Sequence, residues 1–491
     1  MSIRVHNTLS RKTEELVTLV PGEVRMYVCG ITAYDLSHIG HARSAIVFDV
    51  IRRYLTFKGY RVRFVKNFTD VDDKIIKRAN AEGVPAREIS ERYIAEFYRD
   101  MEAIGVLRGD VEPKATDHVD RMITLIEQLI AGGFAYVIDG DVYFEIRRFP
   151  PYGRLSGKNL DELLAGARVD VDERKRDPRD FALWKAAKPG EPSWSSPWGD
   201  GRPGWHIECS AMSMEYLGPT FDIHGGGEDL IFPHHECEIA QSEAGTGTMF
   251  AHYWIHNGFV NLGAEKMSKS LGNTLLIREL VKRHDADALR LWLLGTHYRH
   301  PIEFAEDRLA EAGRALERLK DPVREAGRLS PGTTIESFSQ EAGETGTQFL
   351  SRIFSGIQDG SAEKPIFGTL MQRFEEAMDA DFNTPEAIAA IFSLSRELRM
   401  LRNRVDDSTE AAASYVYGAR LLLTLGRILG LLERRVEVTG PPPDVERLVT
   451  ERTQARARRD WRRSDELREA IAKLGWSVED TAAGPRLTPR R

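Results

Sequence analysis

Two short segments, far apart in the chain, carry side chains suited to holding the phosphates of a nucleotide. The first is His38-Ile39-Gly40-His41, which lies between an apolar strand candidate and a helical pattern. A helix N-terminus offers free N–H groups to phosphate, Gly40 lets a ligand approach the backbone, and the imidazoles of His38 and His41 can donate to phosphoryl oxygens. Taken alone, the same tetrapeptide also fits a turn that a histidine caps.

The second segment is Lys266-Met267-Ser268-Lys269-Ser270, followed by Leu-Gly-Asn. Two lysines with hydroxyls between them can clamp a triphosphate and follow the negative charge that moves onto pyrophosphate in the transition state. An exposed basic loop would explain this segment by itself. The two segments together favour a site for a nucleoside triphosphate.

The cysteines suggest a metal site. The chain has three of them. Three is a small and odd number, which does not suit a disulfide framework, so the cysteines remain available as ligands or catalysts. On a helix, an imidazole and a carboxylate four residues apart share a face and can chelate one ion. A set suited to Zn²⁺ would be Cys29, Cys209, His234 and Glu238. Cys237 and His235 are rival ligands, and buried cysteines can also be plain core residues.

These candidate residues fall at the ends of predicted strands. Met26–Gly30 has the pattern of a short buried strand, Ala42–Phe57 has helical spacing of apolar residues, and Arg61–Val65 is a second strand candidate. The order strand, loop, helix, strand is typical of a right-handed crossover unit. It predicts an α/β fold with a Rossmann-like, doubly wound parallel sheet.

The sheet is predicted to be interrupted and then followed by further domains. It resumes at Phe221–His224, which leads into three glycines and a helix from about Leu230. Gly368–Leu432 is a string of amphipathic helical patterns, typical of an α-helical bundle. The predicted boundaries are 1–114 and 201–265 for the two halves of the catalytic domain, 115–200 for an inserted α+β subdomain, 266–328 for the second lysine motif and its adjoining helices, 329–365 for a flexible linker or loop, 366–439 for the bundle and 440–491 for a small C-terminal domain.

Composition narrows the class of protein. The chain has 491 residues, 42% hydrophobic and 29% charged, with a net charge of −7, as in an ordinary folded protein. The N-terminus lacks the apolar core of a signal peptide, so the expected compartment is the cytoplasm, with no membrane association. From residue 446 onward, twelve lysines and arginines stand against eight acidic residues. This basic module suits contact with RNA, and equally suits a solvated helix face.

The histidine motif (residues 38–41) and the lysine motif (residues 266–270) resemble those of the class I aminoacyl-tRNA synthetases. In that family both motifs bind ATP and stabilise the release of pyrophosphate while the carboxylate of an amino acid attacks the α-phosphate. The resemblance implies catalytic roles for His38, His41, Lys266 and Lys269, and ATP contacts from these motifs, from Gly40 and Met267, and from Gly226 and Asp229. Mg²⁺ is expected to accompany ATP.

Longer segments resemble the cysteine-specific branch of this family, and the likeness leaves out mainly the stretch from 329 to 365. They are MYVCGITAYDLSHIGHARS, NFTDVDDKIIKRA, GWHIECSAMS, FDIHGGGEDLIFPHHECEIAQSEA and EKMSKSLGN. In that branch the positions matching the four candidate ligands hold one zinc ion, which favours Glu238 over Cys237. The resemblance implies L-cysteine and tRNA(Cys) as substrates, and a monomer.

A metal suits the selection of cysteine. Cysteine and serine differ by one chalcogen atom, which an apolar or hydrogen-bonding pocket discriminates poorly, whereas zinc binds thiolate far better than hydroxyl. Around the amino acid we expect Gly30, with a hydroxyl from Thr69 near the ammonium group and an aromatic wall from Trp205. Core packing explains Trp205 equally well.

The C-terminal helix carries an aromatic residue beside charged groups, which can stack on an unpaired base and read its edge. By itself the pattern also fits a salt-bridged surface helix. The resemblance implies that four positions read the anticodon, GCA, of tRNA(Cys): Arg456, Trp461, Asp465 and Asp480.

Two other functions fit parts of the sequence. One is a ligase that passes adenylated cysteine to an amino sugar, and that ligase lacks the C-terminal module. The other is a non-catalytic, zinc-dependent RNA-binding protein, which the intact ATP motifs disfavour. Persulfide formation on pyridoxal phosphate, known in some relatives, would use Lys74 and Lys269, which also fit exposed lysines.

Overall fold

A computed structural model gives the fold of the chain. It describes residues 2–158, 174–262, 265–266, 275–330, 335–341, 344–356, 361–434, 436, 443–481 and 484–489. Among the helices in these ranges, none is long and apolar enough to cross a membrane.

A four-stranded parallel sheet forms the centre of the catalytic part. Its strands, in spatial order, are β10 (Ala251–Asn257), β9 (Phe221–Gly227), β3 (Glu23–Thr32) and β4 (Arg61–Thr69). Helix α1 (Ile39–Phe57) connects β3 to β4. From β3 the chain crosses to β4 on one side of the sheet, and from β9 it crosses to β10 on the other side. A crevice therefore opens beyond the carboxyl ends of β3 and β9. The prediction of a Rossmann-like parallel sheet is confirmed.

Helix α1 packs closely on strand β9. A Cβ atom at Gly225 would come within 2.3 Å of the Phe48 ring, so glycine is needed for this approach. Most of β3 is buried, as expected for a strand covered by helices on both faces. The sheet and α1 thereby form a rigid base for the crevice.

The chain between β4 and β9 adds helices and a second sheet. The helices are α2 (Asp73–Glu82), α3 (Ala86–Ala103), α4 (Val119–Ala131) and α5 (Trp205–Leu217). The second sheet is antiparallel, with the order β5 (Ala135–Ile138), β6 (Asp141–Phe144), β7 (Phe181–Ala186) and β8 (Gly201–Pro203). An α+β insertion therefore interrupts the central sheet, as the fold prediction requires.

The helix predicted from about Leu230 begins later. Regular helix α6 (Glu236–Thr246) follows an irregular turn in which Phe232 is extended, with φ −142° and ψ 132°. The residue before a proline avoids the helical region, and Pro233 imposes this on Phe232. His234 and Glu238 nevertheless remain on one face.

Helices dominate the chain after β10. The short strands β11 (Val260–Leu262), β12 (Glu265–Lys266) and β13 (Ile302–Phe304) form a small sheet, and β1 (Arg4–Asn7) pairs with β2 (Lys12–Glu15) near the N-terminus. The following helices are α7 (Ile277–Arg283), α8 (Ala286–Leu294), α9 (Glu306–Leu329), α10 (Gly346–Ser355), α11 (Glu363–Asp379), α12 (Thr384–Val405) and α13 (Thr409–Ile428).

The prediction of a linker or loop over 329–365 is wrong for the middle of that stretch. Helix α10 lies there and buries Phe349, Leu350 and Ile353. A capping box of Thr345 and Gln348 begins the helix. Its four apolar residues, which include half-buried Phe354, form one short stripe in a stretch rich in Gly, Ser, Thr and Glu, although the capping pair was readable in the sequence.

The C-terminal part has a core of its own. Helices α14 (Pro443–Ala457) and α15 (Trp461–Lys473) pack with the hairpin of β14 (Trp476–Thr481) and β15 (Gly484–Pro489). The core residues are Val445, Val449, Ile471, Trp476 and Val478. This small module carries the residues predicted to read the anticodon.

Candidate active site

The histidine motif begins helix α1. His38 is the N-cap, its Nδ1 accepts a hydrogen bond from the Gly40 amide at 3.1 Å, and its own amide donates to His41 Nδ1 at 3.1 Å. The two imidazoles stack with their centroids 3.8 Å apart. The turn is thus capped by histidine, and this cap holds both rings at the mouth of the crevice.

A cavity of about 570 Å³ occupies the crevice. Seven of the predicted site residues line it: Cys29, Gly30, His38, Gly40, His41, Trp205 and Asp229. Of the glycines at the end of β9, Gly227 lines the cavity, whereas a Cβ atom at Gly226 would meet His235 and Leu230. The cavity is large enough for a nucleotide and a small amino acid.

Four predicted metal ligands meet beside this cavity. The ligand atoms of Cys29, Cys209, His234 and Glu238 lie within 4.8 Å of one another, and all four residues are buried. Cys29 Sγ is 3.4 Å from Glu238 Oε1, and His234 Nε2 is 3.1 Å from the same oxygen. Two sulfurs, one imidazole nitrogen and one carboxylate oxygen are a donor set that zinc prefers.

The electrostatics of this cluster suit a cation. Burial raises the pKa of the Cys29 and Cys209 thiols. Burial also lowers the pKa of His234 to about 3, partly offset by Glu238, so its imidazole is neutral and able to ligate. A divalent ion would stabilise the thiolates against the cost of burying their charge. The residues therefore fit a zinc ion.

Sequence reasoning missed His224 at this site. Its Nε2 lies 2.8 Å from Glu238 Oε2, and a second possible set is Cys29, His224, His235 and Glu238. His224 pairs with Tyr27, two residues before Cys29, and this placement comes from the fold and not from a pattern in the sequence. Cys237 belongs to neither set and instead hydrogen-bonds Tyr152 Oη at 3.2 Å.

The two other predicted contacts to cysteine differ in placement. Trp205 stacks on His234 with the ring centroids 4.5 Å apart and forms a partly exposed wall of the cavity. Thr69 is buried, and its hydroxyl donates to Glu208 Oε2 at 2.7 Å. Burial raises the pKa of Glu208. The Thr69 hydroxyl therefore supports Glu208, which the sequence did not single out.

The lysine motif is described only at its start. Lys266 ends β12, while Met267 and Lys269 lie outside the described residues. On the far side of the motif, the Ile39 amide donates to the Leu275 carbonyl at 2.9 Å, and the Ile277 amide donates to the Ser37 carbonyl at 3.1 Å. The chain thus returns from the lysine motif directly to the histidine motif.

The four predicted anticodon residues lie in the C-terminal module. Asp480 accepts two hydrogen bonds from Arg452, at 2.7 and 2.8 Å, and lies 3.3 Å from Arg456. The Arg456 guanidinium is 5.5 Å from the centre of the Trp461 ring, which is 57% exposed. Asp465 is exposed on the same helix as Trp461. An exposed aromatic ring beside fixed charges can stack on a base.

Comparisons with known proteins agree with this geometry. A family model for the class I (C) tRNA synthetase catalytic domain matches residues 15–314, a DALR domain model matches 373–433, and a cysteinyl-tRNA ligase anticodon-binding domain model matches 439–484. A methionyl-tRNA synthetase structure from Mycobacterium tuberculosis aligns over 83% of this chain and 90% of its own, with a TM-score of 0.58 and 16% identity, which shows the fold alone.

Curated relatives are similar over nearly the whole chain. A cysteine–tRNA ligase from Geobacter sulfurreducens is 51% identical, with 99% of each chain covered. Another from Thermodesulfovibrio yellowstonii is 49% identical, over 97% of this chain and 98% of its own. These matches confirm the resemblance seen in the motifs. The chain belongs to the cysteine–tRNA ligase family, within the class I aminoacyl-tRNA synthetases.

Proposed function

We propose that this chain joins L-cysteine to tRNA(Cys) in two steps. The cysteine carboxylate attacks the α-phosphate of ATP, which forms cysteinyl-adenylate and releases pyrophosphate. A hydroxyl of the terminal tRNA ribose then attacks the cysteinyl carbonyl carbon, loses its proton and releases AMP. The full-length similarity to cysteine–tRNA ligases, together with the cavity beside the buried cysteine cluster, supports this reaction.

The ATP motifs act on the phosphates. His38 and His41, stacked at the N-terminus of α1, can donate to phosphoryl oxygens where the helix dipole also favours negative charge. Gly40 and Gly227 let the nucleotide approach the backbone, and Asp229 can hold its ribose hydroxyls. Lys266 and Lys269 are proposed to follow the charge onto pyrophosphate, with Mg²⁺ accompanying the triphosphate.

The buried cluster is proposed to select cysteine. Cys29, Cys209, His234 and Glu238 would hold one zinc ion, which would supply a preference for the substrate thiolate over the serine hydroxyl. Trp205 and Gly30 border the same cavity and restrict it to a small side chain. Glu238 contacts both His224 and His234, so it fixes two imidazoles at the floor of the site.

The C-terminal module is proposed to recognise tRNA. Exposed Trp461 can stack on an anticodon base, while Arg456, Asp465 and Asp480 read its edges or orient neighbouring groups. This module separates the proposal from an amino-sugar ligase, which needs no anticodon reader. On the resemblance, we expect the enzyme to act as a monomer in the cytoplasm.

The test is cysteine-dependent exchange of pyrophosphate into ATP, with serine as the control, followed by charging of tRNA(Cys) on the same preparation. Exchange with cysteine, rejection of serine and charging of tRNA would support the proposal. Exchange without charging would favour the amino-sugar ligase. The absence of exchange in metal-replete protein would contradict the enzymatic function and favour the RNA-binding alternative.

A further inference from the structure

A second cavity of about 390 Å³ lies against the catalytic cavity. Its walls come from α1, α3, the middle of β3 and β4, and the loop that follows α3. Three residues, Ser44, Lys66 and Phe97, line both cavities. The two spaces therefore share one wall, and a molecule in the second cavity would touch side chains that face the first.

The second cavity is largely apolar. Its apolar wall includes Val28, Ala45, Phe48, Phe64, Phe97 and Met101, and all of these are buried. Apolar side chains around a space of this size favour a compact apolar molecule, because its burial removes both surfaces from water.

Lys66 brings a positive charge into this apolar wall. The residue lies on β4 opposite Val28, and its Nζ is 4.9 Å from the centre of the Phe97 ring. Within the described residues, no carboxylate lies within ion-pair distance of this ammonium group. Burial lowers the pKa of Lys66 to about 8. The Lys66 side chain is half-buried, and a cation so placed against apolar side chains gains stability from an anion set against it.

The nearest acids are committed elsewhere. Glu112 accepts from Tyr98 Oη at 2.8 Å and from the Gly109 amide at 2.9 Å. Asp49 accepts from Arg53 at 2.8 Å and also pairs with Arg290.

The other charged residues of this cavity lie toward its rim. Arg108 lies 3.8 Å from the centre of the Tyr98 ring, and Glu433 pairs with Arg53. Glu102 is exposed. The cation that faces the apolar interior is Lys66.

We propose that this second cavity is a binding site for a small carboxylate with an apolar body. The apolar body packs against Phe48, Phe64 and Met101, and the carboxylate accepts a hydrogen bond from Lys66 Nζ. Lys66 also lines the catalytic cavity, so the ligand would contact a side chain that faces both spaces. The site is independent of the proposed function.

The test is calorimetric titration of the full-length protein with sodium octanoate and with 1-octanol, which has the same apolar body without the charge. Wild type should bind octanoate, and Lys66→Met should bind it about tenfold or more weakly, as expected for the loss of a charge-assisted hydrogen bond. Octanol should bind the two proteins equally. Lys188→Met, which alters an exposed lysine remote from both cavities, is the matched control and should behave as wild type.

A second variant tests the location. Ala45 lines the second cavity but not the catalytic one, so Ala45→Leu fills the space and should abolish binding of both ligands. Retained octanoate affinity in Ala45→Leu, equal octanoate affinity in Lys66→Met and wild type, or no binding to wild type at millimolar octanoate would each overturn the proposal. None of these readouts depends on enzymatic activity.

Discussion

The catalytic crevice and the C-terminal module are built in opposite ways. In the crevice, the candidate ligand atoms come from residues 29, 209, 234 and 238, which strand β3, helix α5, the turn before α6 and the start of α6 bring together and bury. In the module, Trp461 and Asp465 are neighbours on one helix and exposed, and Asp480 joins them from the adjoining hairpin. Long-range convergence on a buried point needs the whole catalytic fold, whereas the module needs only a small local core.

Because of this difference, the two regions should respond differently to the removal of one side chain. A buried ligand set loses its metal when one member is removed, because the remaining donors cannot rearrange in a packed interior. An exposed stacking residue contributes to binding alone, so its removal leaves the chemistry of the crevice intact. Substitutions in each region should therefore have separable effects.

Removal of a thiol from the ligand set should have the largest effect. Cys209→Ala should weaken zinc binding by at least about a hundredfold and abolish cysteine-dependent exchange, since one donor of four is lost. Zinc content by mass spectrometry and the exchange assay measure both. Cys237→Ala removes an equally buried thiol that contacts Tyr152 and should keep its zinc. Equal zinc loss in the two variants would contradict the assignment.

The histidine motif should affect chemistry without affecting the metal. His41→Asn keeps an acceptor for the His38 amide but removes the imidazole donor at the cavity. We expect kcat for exchange to fall about a hundredfold or more, the typical cost of removing one donor to developing charge. Zinc content should be unchanged. A normal kcat, or loss of zinc, would show that the motif acts differently from our proposal.

Removal of the exposed aromatic ring should affect tRNA alone. Trp461→Ala should raise KM for tRNA(Cys) about tenfold, the cost of one stacking contact, while exchange stays unchanged. Leu474→Ala, at a similarly exposed position in the same module, is the control and should charge tRNA normally. A parallel fall in exchange would mean that the module and the crevice are not separable.

The smallest effect concerns the stability of the module. The hydrogen bonds from Arg452 hold the pKa of Asp480 below its ordinary value. A carboxyl group whose pKa is lower in the folded state stabilises the fold above its unfolded pKa, and this contribution is lost as the pH falls. Because Asp480 is 42% exposed, it contributes less than about 1 kcal/mol.

Hydrogen exchange of the hairpin can measure this contribution. Asp480→Asn should speed the exchange of β14 and β15 amides at neutral pH, and the difference from wild type should shrink below about pH 4, where the aspartate becomes protonated. A difference that persists undiminished at low pH would contradict an ion-pair origin.

Sequence reasoning reached the fold and much of the site because both depend on strong patterns. The strand that contains Cys29, the helix at the histidine motif and the buried ligand types follow from periodicity and residue chemistry. Helix α10 was missed because its single short apolar stripe lies in a stretch otherwise rich in Gly, Ser, Thr and Glu. His224 and Glu208 were missed because their roles depend on which residues the fold places opposite them, namely Glu238 and Thr69.

The placement of single side chains was harder still. Gly226 and Gly227 are adjacent glycines of β9 that face opposite sides of the strand. The sequence does not show which of the two lines the cavity, and the structure shows that Gly227 does. Thr69 is the last residue of β4, and its hydroxyl is committed to Glu208. Such orientations are set by packing between segments distant in the chain.

We propose that the buried cluster holds a metal ion that binds the thiolate of the substrate cysteine. The most direct measurement replaces the metal with cobalt and records the sulfur-to-cobalt charge-transfer absorption while cysteine or serine is added. We predict that cysteine intensifies and shifts this band, since it supplies a further thiolate, and that serine leaves it unchanged. A band that responds equally to both amino acids, or to neither, would contradict the account.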